Sequence, residues 1–185
     1  MQKHTQLEQF ATRHGLLYRC DEPADGPSDA YVYSHDMRYR YAFARRWAEE
    51  GPLVLWIMLN PAKGDTEQRR RPTLERCIRW SRSWGASGLL IGNLFAARDN
   101  KPNGLRETPD PVGPHNDEAL RAMTDMANRT VVAWGNKGQR HGRADQVAGL
   151  FSNPVCFGFT ASGAPRHPLY LPNETQAEPW QRGRL

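Results

Sequence analysis

The stretch Leu53-Val54-Leu55-Trp56-Ile57-Met58-Leu59-Asn60-Pro61 decides the fold of this chain. Seven consecutive apolar residues read as a strand buried on both faces, the pattern of a parallel sheet. Pro61 ends it, because proline has no N–H to give to a ladder. Asn60 therefore sits where the strand gives way to a loop. In open α/β sheets that carboxyl edge is where ligands bind.

Two later stretches repeat the arrangement. Gly88-Leu89-Leu90-Ile91-Gly92 is an apolar run ending at Asn93. Thr130-Val131-Val132-Ala133-Trp134 is another, closed by Gly135. Pro154 to Phe159 reads as a short strand and His167 to Leu171 as a further one. Between them lie helical patterns at Pro72 to Trp84, Asn116 to Asn128 and Gln139 to Leu150. Proline suits the first turn of the first of these, and Asn116 has the chemistry of an N-cap for the second. Alternating strands and helices predict a three-layer α/β/α sandwich with a mainly parallel central sheet.

The flanks are less regular. Gln6 to Leu17 has the spacing of an amphipathic helix. Cys20 to Asp29 reads as a loop. Tyr31 to Ser34 and Tyr39 to Trp47 are aromatic-rich and predict an antiparallel pair turning at His35-Asp36. Ala62 to Arg71 and Ala97 to Pro114 read as loops, and long loops in compact domains are often functional. With 185 residues the expectation is one domain, with a core over about 29–172 and a weakly ordered tail over 173–185.

Composition narrows the function classes. The chain is 38% hydrophobic and carries a formal net charge of +5, with a pI near 9.4. No apolar run reaches the roughly 20 residues of a membrane span. The start, Met1-Gln2-Lys3-His4-Thr5, lacks a signal-like apolar region, so the expected location is the cytoplasm. Cys20, Cys77 and Cys156 lie far apart and suggest neither zinc nor a disulfide framework. Arginines cluster at Arg69-Arg70-Arg71 with Arg76, Arg79 and Arg82; a second basic group is Lys137, Arg140, His141 and Arg143. Arginine forks suit phosphates, so nucleic acid is the favoured partner. A solvated helix face would have the same composition.

The strand ends supply the candidate chemistry. Asn60 and Asn93 each offer a donor and an acceptor, and His167 offers an imidazole. If the sheet is parallel, the first three strand ends converge on one edge and the His167 loop can join them. Taken singly, each has an ordinary explanation: a turn residue, a strand-end cap, an exposed loop histidine.

In order and context these motifs resemble the uracil-DNA glycosylase superfamily, particularly its mismatch-specific branch. The strand ending in Asn60-Pro61, the one ending in Gly92-Asn93-Leu94, the Ala133-Trp134-Gly135 strand end and His167-Pro168 match its motifs in sequence. The chain also resembles a bacterial and phage family of unknown function with a Met-Leu-Asn-Pro motif (Met58 to Pro61), a Gly-Pro-x-Asn-Asp segment (Gly113 to Asp117) and an Arg-His-Pro-Leu-Tyr-Leu ending (Arg166 to Leu171). Departures from the glycosylase pattern are clear. Met58 stands where that superfamily usually has Gly, and Pro61 is followed by Ala62-Lys63 rather than Tyr-His. No aromatic lies between Pro61 and Trp80, and Leu169 replaces a Ser after His-Pro.

The glycosylase resemblance implies a uracil-DNA glycosylase-like fold and hydrolysis of the N-glycosidic bond of a damaged or modified base flipped out of DNA. It implies repair or a role against phage DNA, with no metal and no cofactor. Asn60 would hold the attacking water and His167 would donate to the departing base. Asn93 would read the base edge, with Pro61, Ala62 and Gly135 lining the pocket and Phe95 as the stacking ring. Leu169, Tyr170 and Leu171 would form an apolar wedge into the vacated stack. Lys63, Arg69, Arg70, Arg71, Lys137, Arg140 and Arg166 would contact phosphates. A non-catalytic nucleic-acid or nucleotide-binding protein on the same fold is the alternative. Oligomeric state is not encoded in any of these features.

Overall fold

The computed structural model describes residues 4–61, 71–98 and 108–181. These form an α/β fold around one mixed sheet of eight strands. The strands are β1 (Leu17–Asp21), β2 (Ser28–Tyr33), β3 (Arg40–Arg46), β4 (Leu53–Met58), β5 (Gly88–Asn93), β6 (Arg129–Val132), β7 (Val155–Cys156) and β8 (Glu178–Pro179), in the spatial order β1-β2-β3-β5-β4-β6-β7-β8. The helices are α1 (Thr5–Arg13), α2 (Pro72–Ser83), α3 (Asn116–Met126) and the short α4 (Arg143–Val147).

The expectation of a mainly parallel sheet is corrected. Only β5, β4, β6 and β7 run parallel to one another, through three pairings, while the other four pairings are antiparallel. The reason lies in the aromatic segments. They form a hairpin, as their composition predicted, and β3 of that hairpin then adds to the free edge of β5. Several other boundaries also move. The first helix stops at Arg13, and β1 takes Leu17 from the end of the expected helix and Cys20 and Asp21 from the start of the expected loop. Residues 136–150 are two 3₁₀ segments flanking α4 rather than one helix, since His141 and Gly142 have positive φ. Residues 168–170 make a 3₁₀ turn instead of a strand, consistent with two prolines in close succession at Pro165 and Pro168. Part of the expected weak tail is ordered: β8 pairs with β7, and Trp180 packs edge-on against Trp134.

Alternation along β4 feeds two cores. Leu53, Leu55 and Ile57 join Leu7, Phe10, Leu120, Met123 and Val147 on the face covered by α1, α3 and α4. Val54, Trp56 and Met58 join Leu74, Cys77 and Trp80 on the α2 face. Trp56 is fully buried there, and its indole N–H donates to the Ser81 hydroxyl at 3.0 Å, so the polar edge of the ring is satisfied. A Cβ on Gly92 would fall 2.7 Å from Leu120 Cδ2 and 2.9 Å from Met123 Cε on the α3 face, so a larger residue there must displace those side-chain ends.

A bulge shapes the hairpin. Pairing steps from Val32–Ala42 to Tyr33–Arg40, leaving Tyr41 as the extra residue. Tyr41 thus joins the α3-side core, while the Arg40 guanidinium lies 5.8 Å from the Phe43 ring on the α2 side. No helix among the described residues is long and apolar enough to cross a membrane.

Candidate functional site at the carboxyl edge of the sheet

The chain leaves β4, crosses by α2 on one face and enters β5 beside it. It leaves β5, crosses by α3 on the opposite face and enters β6 on the other side of β4. The order of the parallel strands therefore reverses at β4. A crevice opens outside the carboxyl ends at such a switch point, and ligands of open α/β sheets bind there. Asn60 follows β4 at this position.

Backbone pairing holds the edge. Leu94 N–H donates to Met58 O at 2.9 Å and Phe95 N–H to Leu59 O at 3.0 Å, extending β5 alongside the Asn60 turn. Asn60 is half-buried, and its Nδ2 donates to Pro61 O at 3.2 Å. Asn93 is 1% exposed and is paired in register with Met58. Leu89 and Ile91 face the α2-side core and Leu90 the other, so alternation turns the Asn93 side chain toward α2. Its Nδ2 is buried with no protein hydrogen-bond partner among the described residues. Its carbonyl accepts from Asn116 Nδ2 at 3.0 Å, and the same amide reaches Leu94 O at 3.1 Å. Asn116 thus opens α3 but does not cap it; its side chain is spent on the end of β5, with His115 in the N-cap position.

Gly135 follows β6 with φ 68°, a conformation that favours glycine. Its N–H donates to Pro165 O at 2.9 Å, which ties the His167 loop to the end of β6. A Cβ on Gly135 would lie 3.9 Å from His167 Cβ. His167 is half-buried, and its Nδ1 accepts the Leu169 N–H at 3.2 Å. Burial holds the imidazole below its ordinary pKa of 6.5. An accepting Nδ1 carries no proton, so the neutral ring bears its hydrogen on Nε2. The uncharged ring keeps an Nε2–H donor. Arg76 on α2 fastens the far end of the turn by donating to Leu171 O. Leu171 is buried in the α2-side core, while Tyr170 is 79% exposed with its ring centroid 6.2 Å from that of His167.

The remaining predicted residues divide. Phe95 is fully buried in the α3-side core and cannot offer a ring face to a base, so its stacking role is corrected. Pro61 is buried and Leu169 is half-buried. Lys137 and Arg166 are exposed and Arg140 is half-buried. Arg143, counted in the second basic group, is 2% exposed; it donates to Leu94 O and pairs with Asp117, so its charge is structural. Arg71 heads α2, with its guanidinium 5.9 Å from the Phe43 ring. Ala62, Lys63, Arg69 and Arg70 lie outside the described residues. Sequence reasoning missed Asn116 and Arg143 as builders of this edge. Among the described residues, the group of three metal-ligating side chains, His14, His115 and Glu118, includes none of these edge residues.

No curated protein and no solved structure matches the chain. A family model matches residues 40–169, from the first residue of β3 to the turn after His167, and so takes in Asn60, Asn93, Gly135 and His167. The chain belongs to the family described as "Protein of unknown function (DUF1643)".

Proposed function

We propose that the protein is a uracil-DNA glycosylase-like hydrolase that releases a damaged or modified base from DNA. The observation that carries this reading is His167. Its neutral ring, with Nδ1 engaged by the Leu169 N–H, leaves Nε2–H as a donor beside Gly135 at the switch-point edge. A donor preorganised toward a leaving group stabilises negative charge as the bond breaks. Departure of the base generates such charge. Asn60, at the centre of the same edge, would orient the attacking water toward the sugar carbon through its amide. Asn is a weak base, so the chemistry relies on a good leaving group. The water forms the new C–O bond, the C–N bond breaks with its electron pair going to the base, and the water's proton is lost to solvent. Asn93 Nδ2 supplies a donor for a carbonyl on the base edge. Asn93 is buried, so a base reaches it only as the edge opens. Tyr170, exposed beside His167, fits a wedge entering the vacated stack. Arg166 and Lys137 would meet phosphates.

A second reading, nucleic-acid binding without catalysis, is favoured by the burial of Phe95, which leaves the β5 end without a stacking ring.

Single-turnover base release separates the two. The panel is single- and double-stranded oligonucleotides carrying uracil, deaminated purines, mismatches, or hydroxymethylated and glucosylated pyrimidines. Abasic product from one base, reduced about 10²–10³-fold by His167→Ala and also lost in Asn60→Ala, is expected. No release from any base, with salt-sensitive binding retained, would sink the hydrolase reading in favour of the binder.

A further inference from the structure

We infer that His14, His115 and Glu118 form a binding site for a divalent zinc-like cation, independent of the glycosylase reading. His14 caps the C-terminus of α1, His115 precedes α3 and Glu118 lies in its first turn. Both histidine Nδ1 atoms face the same carboxylate oxygen, Glu118 Oε2, at 3.7 Å from His14 and 3.2 Å from His115. The three donor atoms all lie within 4.8 Å of one another. Zinc–ligand bonds of about 2.0–2.1 Å place the donors of a tetrahedron about 3.4 Å apart, so both measured contacts bracket the required separation. Two imidazoles and one carboxylate are also a ligand set zinc uses, with a fourth position left for water.

The rings are held in place by packing. His14 lies against Phe10 with centroids 4.5 Å apart, and His115 meets the edge of Tyr41 at 5.8 Å. The ligating groups keep partial exposure, at 21%, 32% and 48% of their side chains, so an ion has access from solvent. The bland alternative is a shared ion pair. It accounts for His115 Nδ1 bonded to Glu118 Oε2, but not for His14 Nδ1 standing 3.7 Å from the same oxygen with its ring 5.3 Å from that of His115. One dication satisfies both rings and the carboxylate together.

The consequence is structural. The ion would bolt α1 to the first turn of α3. The next residue, Asn116, holds the end of β5 through Asn93 O and Leu94 O. His115 and Glu118 lie within the family segment 40–169, whereas His14 comes from α1 outside it.

The test uses the untagged full-length chain stripped of metal with a chelating resin. Zn²⁺ is titrated calorimetrically, and Co²⁺ is followed by the visible bands of a tetrahedral complex. One equivalent per chain is expected, with a raised melting temperature. His14→Gln, His115→Gln and Glu118→Gln should each weaken binding at least tenfold, since even outer-shell changes cost about 10–100-fold at metal sites. Circular dichroism without metal checks folding, and half-exposed Glu118→Gln decides the matter where a histidine variant fails to fold. Absence of stoichiometric binding by the natural chain, or unchanged affinity in Glu118→Gln, would overturn the site.

Discussion

Replacing Asn116 tests whether the edge of β5 is fixed from α3. The residue is fully buried, and its Nδ2 donates to two carbonyls, Asn93 O at 3.0 Å and Leu94 O at 3.1 Å. Leu94 O has a second donor, Arg143 Nε at 2.8 Å. Losing the amide therefore leaves Leu94 O supplied and takes from Asn93 O its side-chain donor. A buried acceptor left unpaired costs about 1–3 kcal/mol. Against this, Asn116 Oδ1 is itself buried without a partner among the described residues, and its removal returns part of that cost. Asn116→Leu keeps the volume and isolates the hydrogen-bond loss, so a destabilisation of about 1–2 kcal/mol is expected. Asn116→Ala adds a small cavity and should lose about 2–3 kcal/mol. Urea unfolding measures both, read as a lower midpoint at constant slope. A Leu variant within about 0.5 kcal/mol of the natural chain would refute the reasoning, because the carbonyls would then be satisfied without the amide.

Three further outcomes are expected. Gly138→Ala would put a Cβ 1.9 Å from Trp134 Cδ1, so the turn after β6 must shift; a loss of about 2 kcal/mol or more by thermal melting is expected, and an unchanged melting point would contradict the packing. His4 and His167 both sit below the ordinary value of 6.5, each chiefly through burial, so between their folded values and 6.5 the unfolded chain binds more protons. Stability should accordingly rise with pH through that window and level off above it, and a urea midpoint independent of pH below 6.5 would contradict this. Tyr170→Ala should leave stability within about 0.5 kcal/mol, the range for exposed positions, while weakening DNA binding in a fluorescence titration; equal binding would remove the wedge.

The sequence by itself determined the parallel centre of this protein. The apolar runs ending at Asn60, Asn93 and Trp134 became β4, β5 and β6 in side-by-side pairing, because a strand buried on both faces writes its position into composition. It also determined α2, whose start is set by Pro72, and the β2–β3 hairpin. Order along the chain brought Asn60, Asn93 and Gly135 to one edge, since parallel strands with intervening helices end on the same side.

Only the tertiary structure decided what depends on partners distant in sequence. Nothing in β3 itself says that it joins β5, yet that pairing brings the antiparallel hairpin onto the parallel centre. Phe95 and Phe157 are both aromatic residues near strand ends, and only packing shows that Phe95 is sealed in the α3-side core. Asn116 has the chemistry of a cap, but its Nδ2 donates to the carbonyls of Asn93 and Leu94 at the end of β5, and its Oδ1 accepts from no group among the described residues. Tyr170 and Leu171 are neighbours that could both pack into a core, and a 3₁₀ turn held by His167 Nδ1 sends one outward and the other inward. The meeting of His14 with His115 and Glu118 is likewise invisible in a sequence where they stand about a hundred residues apart, because side-chain convergence is a property of helix packing rather than of spacing.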